Sequence, residues 1–185
     1  DLDSQAFAAA TEALSASFSF DVSDDTLSIS VRVLTENRAE ALALLKTALM
    51  EPRFDPDAVE RVRQQVLSIL ASNAQDPTDI AQRVWAAQAF GDHAYGTDYQ
   101  GTESSVAALT RADFLAAHQN LLVRDAISVS AVGDITAEEL GAILDDLLGE
   151  LPTGSALETA RLELDIPAGL TVVDIPTPQS KQLLD

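Results

Sequence analysis

The side chains best suited to acid–base or metal chemistry are the two histidines, His93 and His118, because the chain contains no cysteine. A neutral imidazole is a general base near pH 7 and a common zinc ligand. Neither histidine belongs to a His-x-x-Glu-His run, which would place ligands on one helix face. His93 stands beside Tyr95 and Gly96, and we expect these three residues to anchor a loop; a general-base role for His93 is the alternative. His118 falls within a predicted helix and is expected to be structural.

Alternating patterns predict the strands that position these residues. Residues 17–22 and 27–33 alternate apolar with polar side chains around a polar turn at 23–26. This period of two predicts an antiparallel hairpin with one buried face. Residues 126–132 alternate in the same way and predict a further strand, and residues 170–175 predict a late one.

Capping residues and apolar periodicity predict the helices. Asp76-Pro77 supplies an N-cap and a first-turn proline, and Thr136 with Glu139 forms a capping box. Predicted helices cover residues 4–14, 38–50, 56–73, 77–90, 110–122 and 140–148. This order of elements predicts an α+β fold, a largely antiparallel sheet with helices packed on one face.

The predicted helix over residues 56–73 carries one regular apolar stripe. Val59, Val62, Val66 and Ile69 recur at the spacing of a 3.6-residue helix. Glu60 and its basic and polar neighbours lie largely off this stripe. We therefore expect an amphipathic helix whose stripe faces inward.

The charge balance limits the classes of partner. Eleven basic residues against 30 acidic ones give a net charge of −19, which repels nucleic-acid phosphates and anionic membranes. The acidic surplus either attracts a basic peptide or subunit or only keeps the protein soluble. No apolar run approaches the roughly 20 residues that span a bilayer. The chain opens at Asp1 and not at methionine, so we expect a processed product or an excised piece.

Several short segments together resemble a known family. They are residues 1–7, 34–37, 51–55, 60–61, 91–96, 101–103 and 131–135. In this order they resemble the N-terminal half of a subunit of the pitrilysin/insulinase-like zinc peptidases, which include mitochondrial processing peptidase. The resemblance implies that residues 1–152 form a peptidase-like α+β domain without its first strand and zinc-motif helix. Residues 153–185 would then be a linker and a late strand of the same domain.

The resemblance also implies where zinc would bind. In the family, two histidines of an inverted motif and a glutamate on a later helix hold the metal. The motif would precede Asp1, and the later ligand position falls on Ile69; Glu60 takes that position only under a shifted alignment. We therefore expect no catalytic or metal-binding residue in this chain. Zinc is expected in a catalytic partner or in an active full-length parent.

Three functions remain in competition. The resemblance favours a non-catalytic subunit or truncated domain that pairs, as a heterodimer, with a zinc-bearing peptidase subunit or second family domain and helps to hold a peptide. One alternative is a fragment of an active zinc peptidase whose His-x-x-Glu-His lies upstream. The other is an assembly or binding module without a peptidase role. The compartment is undetermined; export to a periplasm would suit an expected bacterial origin.

Overall fold

The structure is a computed structural model that describes residues 2–154, 162, 164, 166 and 168–174. Its helices are Ser4–Ala13 (α1), Arg38–Met50 (α2), Pro56–Asn73 (α3), Pro77–Phe90 (α4), Glu103–Ala108 (α5), Arg111–Leu121 (α6) and Ala137–Leu148 (α7), and its strands are Ser17–Val22 (β1) and Leu27–Arg32 (β2). The predicted α+β class is confirmed. Two compact units are present: unit 1 comprises residues 1–58 and 110–158, and unit 2 comprises residues 59–109 and 159–185.

Polar side chains cap the helices at the predicted positions. The carboxylate of Asp76 accepts hydrogen bonds from the backbone N–H groups of Thr78 and Asp79, at 2.8 and 3.3 Å, and begins α4. Thr136 and Glu139 form the predicted capping box of α7. These contacts satisfy amides that would otherwise lack a partner in the first helical turn.

Helix α5 is absent from the sequence-based expectations. It contains six residues and begins at a capping box made by Thr102 and Ser105. Its box ends in serine, where the usual pattern has glutamate or glutamine. A helix this short also has too few residues to show a clear apolar period.

The predicted hairpin is confirmed. Strands β1 and β2 pair antiparallel, with Phe18 opposite Val31 and Phe20 opposite Ile29. Phe18 and Ile29 pack against a core cluster made by α2 and α7. That cluster consists of Leu45, Leu49 and Leu147. The helices thus cover one part of the apolar face of the hairpin, whereas Phe20 and Val31 remain exposed.

The prediction of a strand over residues 126–132 is wrong. Residues Arg124–Ala126 form a 3-10 turn, and residues 127–132 belong to neither a helix nor a strand. A strand requires a neighbouring strand for its backbone hydrogen bonds. Within the described residues, the only ladder joins β1 to β2, so this segment has no such neighbour. The late strand is also absent over residues 170–174, and its last predicted residue, Ile175, lies outside the described residues.

The inward face expected for α3 is only partly observed: Val59 and Val66 are half-buried, but Val62 and Ile69 are exposed. Leu70 is buried at 8% exposure, whereas Ile69 is 37% and Val62 52% exposed. Successive helical residues differ by about 100° in direction, so the buried face is rotated away from Ile69. Arg63 explains the rotation, because its side chain lies on the buried side and reaches the end of α5.

Within the described part of the chain, none of the helices is both long enough and apolar enough to cross a membrane.

Candidate functional site

The candidate site lies in unit 2, where α3 carries the residue at the expected metal-ligand position. That residue, Ile69, has a hydrocarbon side chain with no lone pair to offer a metal. It lies on the open side of α3, on the same side as Val62. Both side chains are exposed, so this side of α3 presents an apolar surface instead of a ligand.

Glu60, the alternative ligand, is engaged in a local network. Its carboxylate accepts hydrogen bonds from Gln64 Nε2 at 2.7 Å and from Arg63 Nε at 3.0 Å. The hydrogen bond from Gln64 and, to a smaller extent, the one from Arg63 lower the pKa of the Glu60 carboxyl below its usual value. Nine residues separate Glu60 from Ile69, which places them on opposite sides of α3, about 13 Å apart along its axis. The two positions therefore cannot serve one metal ion together.

Arg63 ties α3 to α5. Its guanidinium donates to the carbonyl oxygens of Val106 and Leu109, the latter at 2.7 Å, while it also pairs with Glu60. Only 14% of the Arg63 side chain is exposed. Carbonyls at a helix C-terminus lack intrahelical donors and carry partial negative charge. A planar guanidinium with several donors suits this double contact.

The loop landmarks lie beyond the C-terminus of α4. His93 Nδ1 accepts a hydrogen bond from the backbone N–H of Tyr95 at 3.2 Å and caps a 3-10 turn. The rings of His93 and Tyr95 lie 4.7 Å apart, and Tyr95 also packs edge-on against Phe90. These contacts use Nδ1 as an acceptor and bury part of the imidazole. The structural role given to these landmarks stays a prediction.

Gly96 fits where no other residue does. A Cβ atom at this position would lie 2.2 Å from the backbone oxygen of Gly91. Gly91 itself has a φ of +56°, in the left-handed region that favours glycine. The two glycines therefore allow the chain to turn back on itself directly after α4.

No metal centre appears among the described residues. They contain no group of three histidine, aspartate or glutamate side chains close enough to hold a metal ion. His93 and Glu60 each have contacts of other kinds, and Ile69 offers no donor atom. The zinc expected in a partner or parent would need ligands from elsewhere.

His118 lies in unit 1 and contacts a residue far away in sequence. Its Nε2 lies 2.6 Å from the carbonyl oxygen of Leu49, in the last turn of α2. A carbonyl only accepts, so this nitrogen carries the proton. The partner lies 69 residues away, and the sequence contains no local signal for it.

Two other residues of α6 contact the same stretch of chain. Arg111 donates through Nε and Nη2 to the carbonyl oxygen of Arg53, at 3.3 and 3.0 Å. Phe114 stacks on Phe54 with ring centroids 5.6 Å apart. Phe54 has a φ of +49°, which is unfavourable for an aromatic residue. One face of α6 therefore carries all three contacting residues, Arg111, Phe114 and His118.

Comparisons with known proteins give relatives of one kind. No protein-family model matches the chain. It is 26% identical over 163 residues to the non-peptidase homolog YmxG of Helicobacter pylori, covering 88% of this chain and 38% of that protein. It is 29% identical over 117 residues to the uncharacterized zinc protease Rv2782c of Mycobacterium tuberculosis, covering 63% of this chain and 27% of that protein. The mitochondrial-processing peptidase subunit beta of Blastocladiella emersonii is 24% identical over 124 residues, 67% of this chain and 27% of that subunit.

Solved structures show the same fold. The peptidase M16 inactive domain of Pseudomonas fluorescens matches with a TM-score of 0.80 and 27% identity, covering 90% of this chain and 40% of that one. A protease from Helicobacter pylori matches with a TM-score of 0.73 and 15% identity, again over 90% and 40%. The chain thus spans about two fifths of such proteins. Relatives in sequence and fold agree, and together they support membership of the peptidase M16 family.

Proposed function

We propose that this chain is part of a non-catalytic M16 subunit or domain that completes a peptidase chamber and helps to hold a peptide. The proposal rests on Ile69, which the resemblance places at the ligand position and which has no donor atom. Two relatives support it by name, one a non-peptidase homolog and the other an inactive domain. In this role the chain contributes surface to a zinc-bearing partner and performs no chemistry itself.

The proposed domain organisation follows from the same resemblance. Residues 1–152 would be a peptidase-like α+β domain without its first strand and zinc-motif helix. Residues 153–185 would be a linker and the late strand of that domain. Coverage of 38% and 40% of two relatives supports a longer parent protein.

Exposed apolar side chains on unit 2 support a role in assembly. Val62 and Ile69 lie on one side of α3, and Trp85 is exposed on α4. Large apolar and aromatic side chains are enriched at the centres of protein interfaces. We propose that a zinc-bearing subunit or a second family domain covers this surface of α3.

Peptidase activity of the full-length parent tests the proposal. Purified alone, the parent should cleave an unstructured peptide no faster than buffer does. Activity should appear when a zinc-bearing M16 subunit is added and a stable heterodimer forms by size-exclusion chromatography. Cleavage by the parent alone, removed by a zinc chelator, would refute the proposal.

Glu60 provides a separate control for the shifted alignment. If Glu60 were a zinc ligand, E60A would remove bound zinc from the parent and E60Q would weaken it. We expect neither change to alter metal content, since the Glu60 carboxylate contacts Arg63 and Gln64.

An active parent is the second candidate, favoured by relatives that carry the name zinc protease. This candidate requires a His-x-x-Glu-His in the reading frame before Asp1 and a carboxylate that replaces Ile69. Mutation of the upstream histidines would then abolish cleavage. A third candidate, a binding module without peptidase role, would leave proteolysis unchanged when the parent is added to or removed from an M16 complex.

A further inference from the structure

An apolar groove lies between α2 and α7 in unit 1. It has a volume of about 310 Å³ and is lined by six residues, Arg38, Ala39, Leu42, Glu139, Ala142 and Ile143. Leu42 and Ile143 are half-buried and form its floor, since Leu42 packs against the core cluster that contains Leu45. Ala39 and Ala142 are exposed, and their methyl groups are too short to fill the space above this floor. The two helices therefore leave an open apolar groove on the surface of unit 1.

Ion pairs between α2 and α7 lie at both ends of the groove. At one end, Arg38 Nη2 lies 3.7 Å from Glu139 Oε1. At the other end, Lys46 Nζ lies 3.1 Å from Asp146 Oδ1 and 3.2 Å from Glu150 Oε1. The first turn of each helix thus pairs with the first turn of the other, so the two helices run in the same direction. The distance along α2 from Arg38 to Lys46 is about 12 Å, which is the length of about two turns of a docked helix.

The rim of the groove is acidic. Residues 134–150, which include α7, contain six acidic residues and no basic one. The four positions that neighbour Ala142 on the helix surface all carry carboxylates: Glu138, Glu139, Asp145 and Asp146. Within the part of the chain that the structure describes, Glu138 and Asp145 have no ion-pair partner. Basic side chains of an occupant would therefore meet unpaired negative charge beside the apolar floor.

We propose that the groove between α2 and α7 binds a basic amphipathic helix of a partner protein. Apolar side chains of that helix lie between Ala39 and Ala142, and its lysine or arginine side chains pair with Glu138 and Asp145. An amphipathic helix that lays its apolar face in a hydrophobic groove is a common mode of recognition. The inference does not depend on the proposed non-catalytic role, because it uses no residue of unit 2 and no metal.

Other occupants fit the groove less well. An extended peptide binds by pairing its backbone with a free strand edge, whereas the N–H and C=O groups along α2 and α7 are bonded within each helix. A second copy of the chain would bring another net charge of −19, and like charges oppose association. An anionic membrane is repelled for the same reason. A basic amphipathic helix matches both the apolar floor and the acidic rim.

Binding of designed peptides to the full-length parent tests the proposal. The probe is a peptide of about 18 residues with leucines on one helical face and lysines on the other, and the control has the same composition without an apolar face. Fluorescence anisotropy should show at least about tenfold tighter binding of the amphipathic peptide, which should be helical when bound. Equal affinities would mean that net charge alone attracts the peptides. That result, an extended bound peptide, or no binding at all would overturn the proposal.

One substitution in the groove separates apolar contact from charge. Ala142→Glu places a carboxylate within the groove lining, whereas Gly141→Glu adds the same charge on α7 outside that lining. We expect Ala142→Glu to weaken binding of the amphipathic peptide at least about tenfold, and Gly141→Glu to leave it unchanged or slightly tighter. Both positions are exposed, so both variants should fold, which melting temperatures check. Equal effects of the two substitutions, or tighter binding by Ala142→Glu, would overturn the proposal.

Removal of two carboxylates tests the acidic rim. Glu138→Gln with Asp145→Asn should weaken binding of the amphipathic peptide by about threefold to tenfold, because two ion pairs with the peptide are lost. The control is Asp21→Asn with Glu51→Gln, which removes the same charge at exposed positions outside the groove lining. Equal losses in the two double variants would overturn the proposal. None of these measurements depends on zinc, so the groove can fail while the non-catalytic role stands, and the reverse.

Discussion

The two units of this chain use their apolar residues differently. In unit 1, Leu45, Leu49 and Leu147 form a cluster under the hairpin, and Leu45 is only 2% exposed. Of the described residues in unit 2, the buried apolar ones are Leu70, Ala89 and Val106. Both units also expose large apolar side chains, among them Phe20 and Val31 in unit 1 and Val62, Ile69 and Trp85 in unit 2. The unit that contains the expected metal-ligand position is therefore the one with fewer buried apolar residues among those described.

Acidic residues are also distributed unequally between the two units. Unit 1 holds eleven acidic residues in residues 1–58 and nine in residues 110–158, which is twenty of the thirty in the chain. Unit 2 combines a lower charge with exposed apolar side chains. Since like charges oppose association, the lower charge of unit 2 supports its proposed role in assembly.

The largest expected difference between the two units is in the free energy of unfolding that is lost when a buried leucine is replaced by alanine. Leu45→Ala removes a fully buried side chain and should lower the free energy of unfolding by about 2–5 kcal/mol. Leu70→Ala should cost less, because Leu70 is not part of the Leu45 cluster. Urea denaturation measures both. An equal or larger loss for Leu70→Ala would show that unit 2 has a core as well packed as that of unit 1.

Glycine substitutions should have opposite signs in the two units. Gly96→Ala in unit 2 places a Cβ against the Gly91 backbone and should cost about 1–3 kcal/mol. Gly141→Ala, within α7 of unit 1, meets no atom within 4 Å and should stabilise by about 0.5–1 kcal/mol. Melting temperatures of the two variants provide the comparison. A neutral Gly96→Ala would mean that the loop after α4 can open freely.

The contact between α3 and α5 should depend on the guanidinium group of Arg63. Arg63→Ala should destabilise unit 2 by about 1–3 kcal/mol, since it leaves the carbonyls of Val106 and Leu109 without their donor. Arg61→Ala, on the exposed side of α3, should change stability by less than about 0.5 kcal/mol. Hydrogen exchange of α5 measures the local effect. Similar exchange in both variants would argue against the bridging role of Arg63.

Low pH should destabilise the N-termini of α6 and α7 in unit 1. Hydrogen bonds from the Thr110 hydroxyl and backbone lower the pKa of Asp113, and those from the Thr136 backbone and hydroxyl lower the pKa of Glu139. A lowered folded-state pKa gives stability that is present above the ordinary value and is lost as pH falls through the folded-state value. Asp113→Asn and Glu139→Gln should therefore be slightly less stable at pH 7 and equal to the parent near pH 2. A difference that persists at pH 2 would assign the effect to packing.

The comparison also shows which features the sequence can predict. Helix starts at Asp76 and Thr136 were predictable because their capping contacts lie within three residues. The strand at 126–132 was not, since a strand depends on a neighbour that the described residues lack. The buried side of α3 depends on Arg63 reaching α5, and the role of His118 depends on Leu49, 69 residues away. Local signals were sufficient for the capped helices and the hairpin, whereas the exposed and buried sides of α3 and the contact of His118 depend on residues far away in sequence.

For the candidate site, the resemblance implies a position and the structure describes the surroundings of that position. The resemblance alone places a ligand position at Ile69. Its exposure on an apolar side of α3 could not be predicted, because the stripe of Val62 and Ile69 has the same period as a buried one. Ile69 is partly accessible and its side chain has no donor atom, so the absence of metal binding at this position stays a prediction.

Metal content of the full-length parent, purified natively, tests the central claim most directly. Elemental analysis should find no zinc above background in a folded parent, and added zinc should not raise its melting temperature. A zinc-bearing M16 subunit analysed in parallel serves as the positive control. About one zinc per chain would contradict the account and would require ligands upstream of Asp1 and a carboxylate that replaces Ile69.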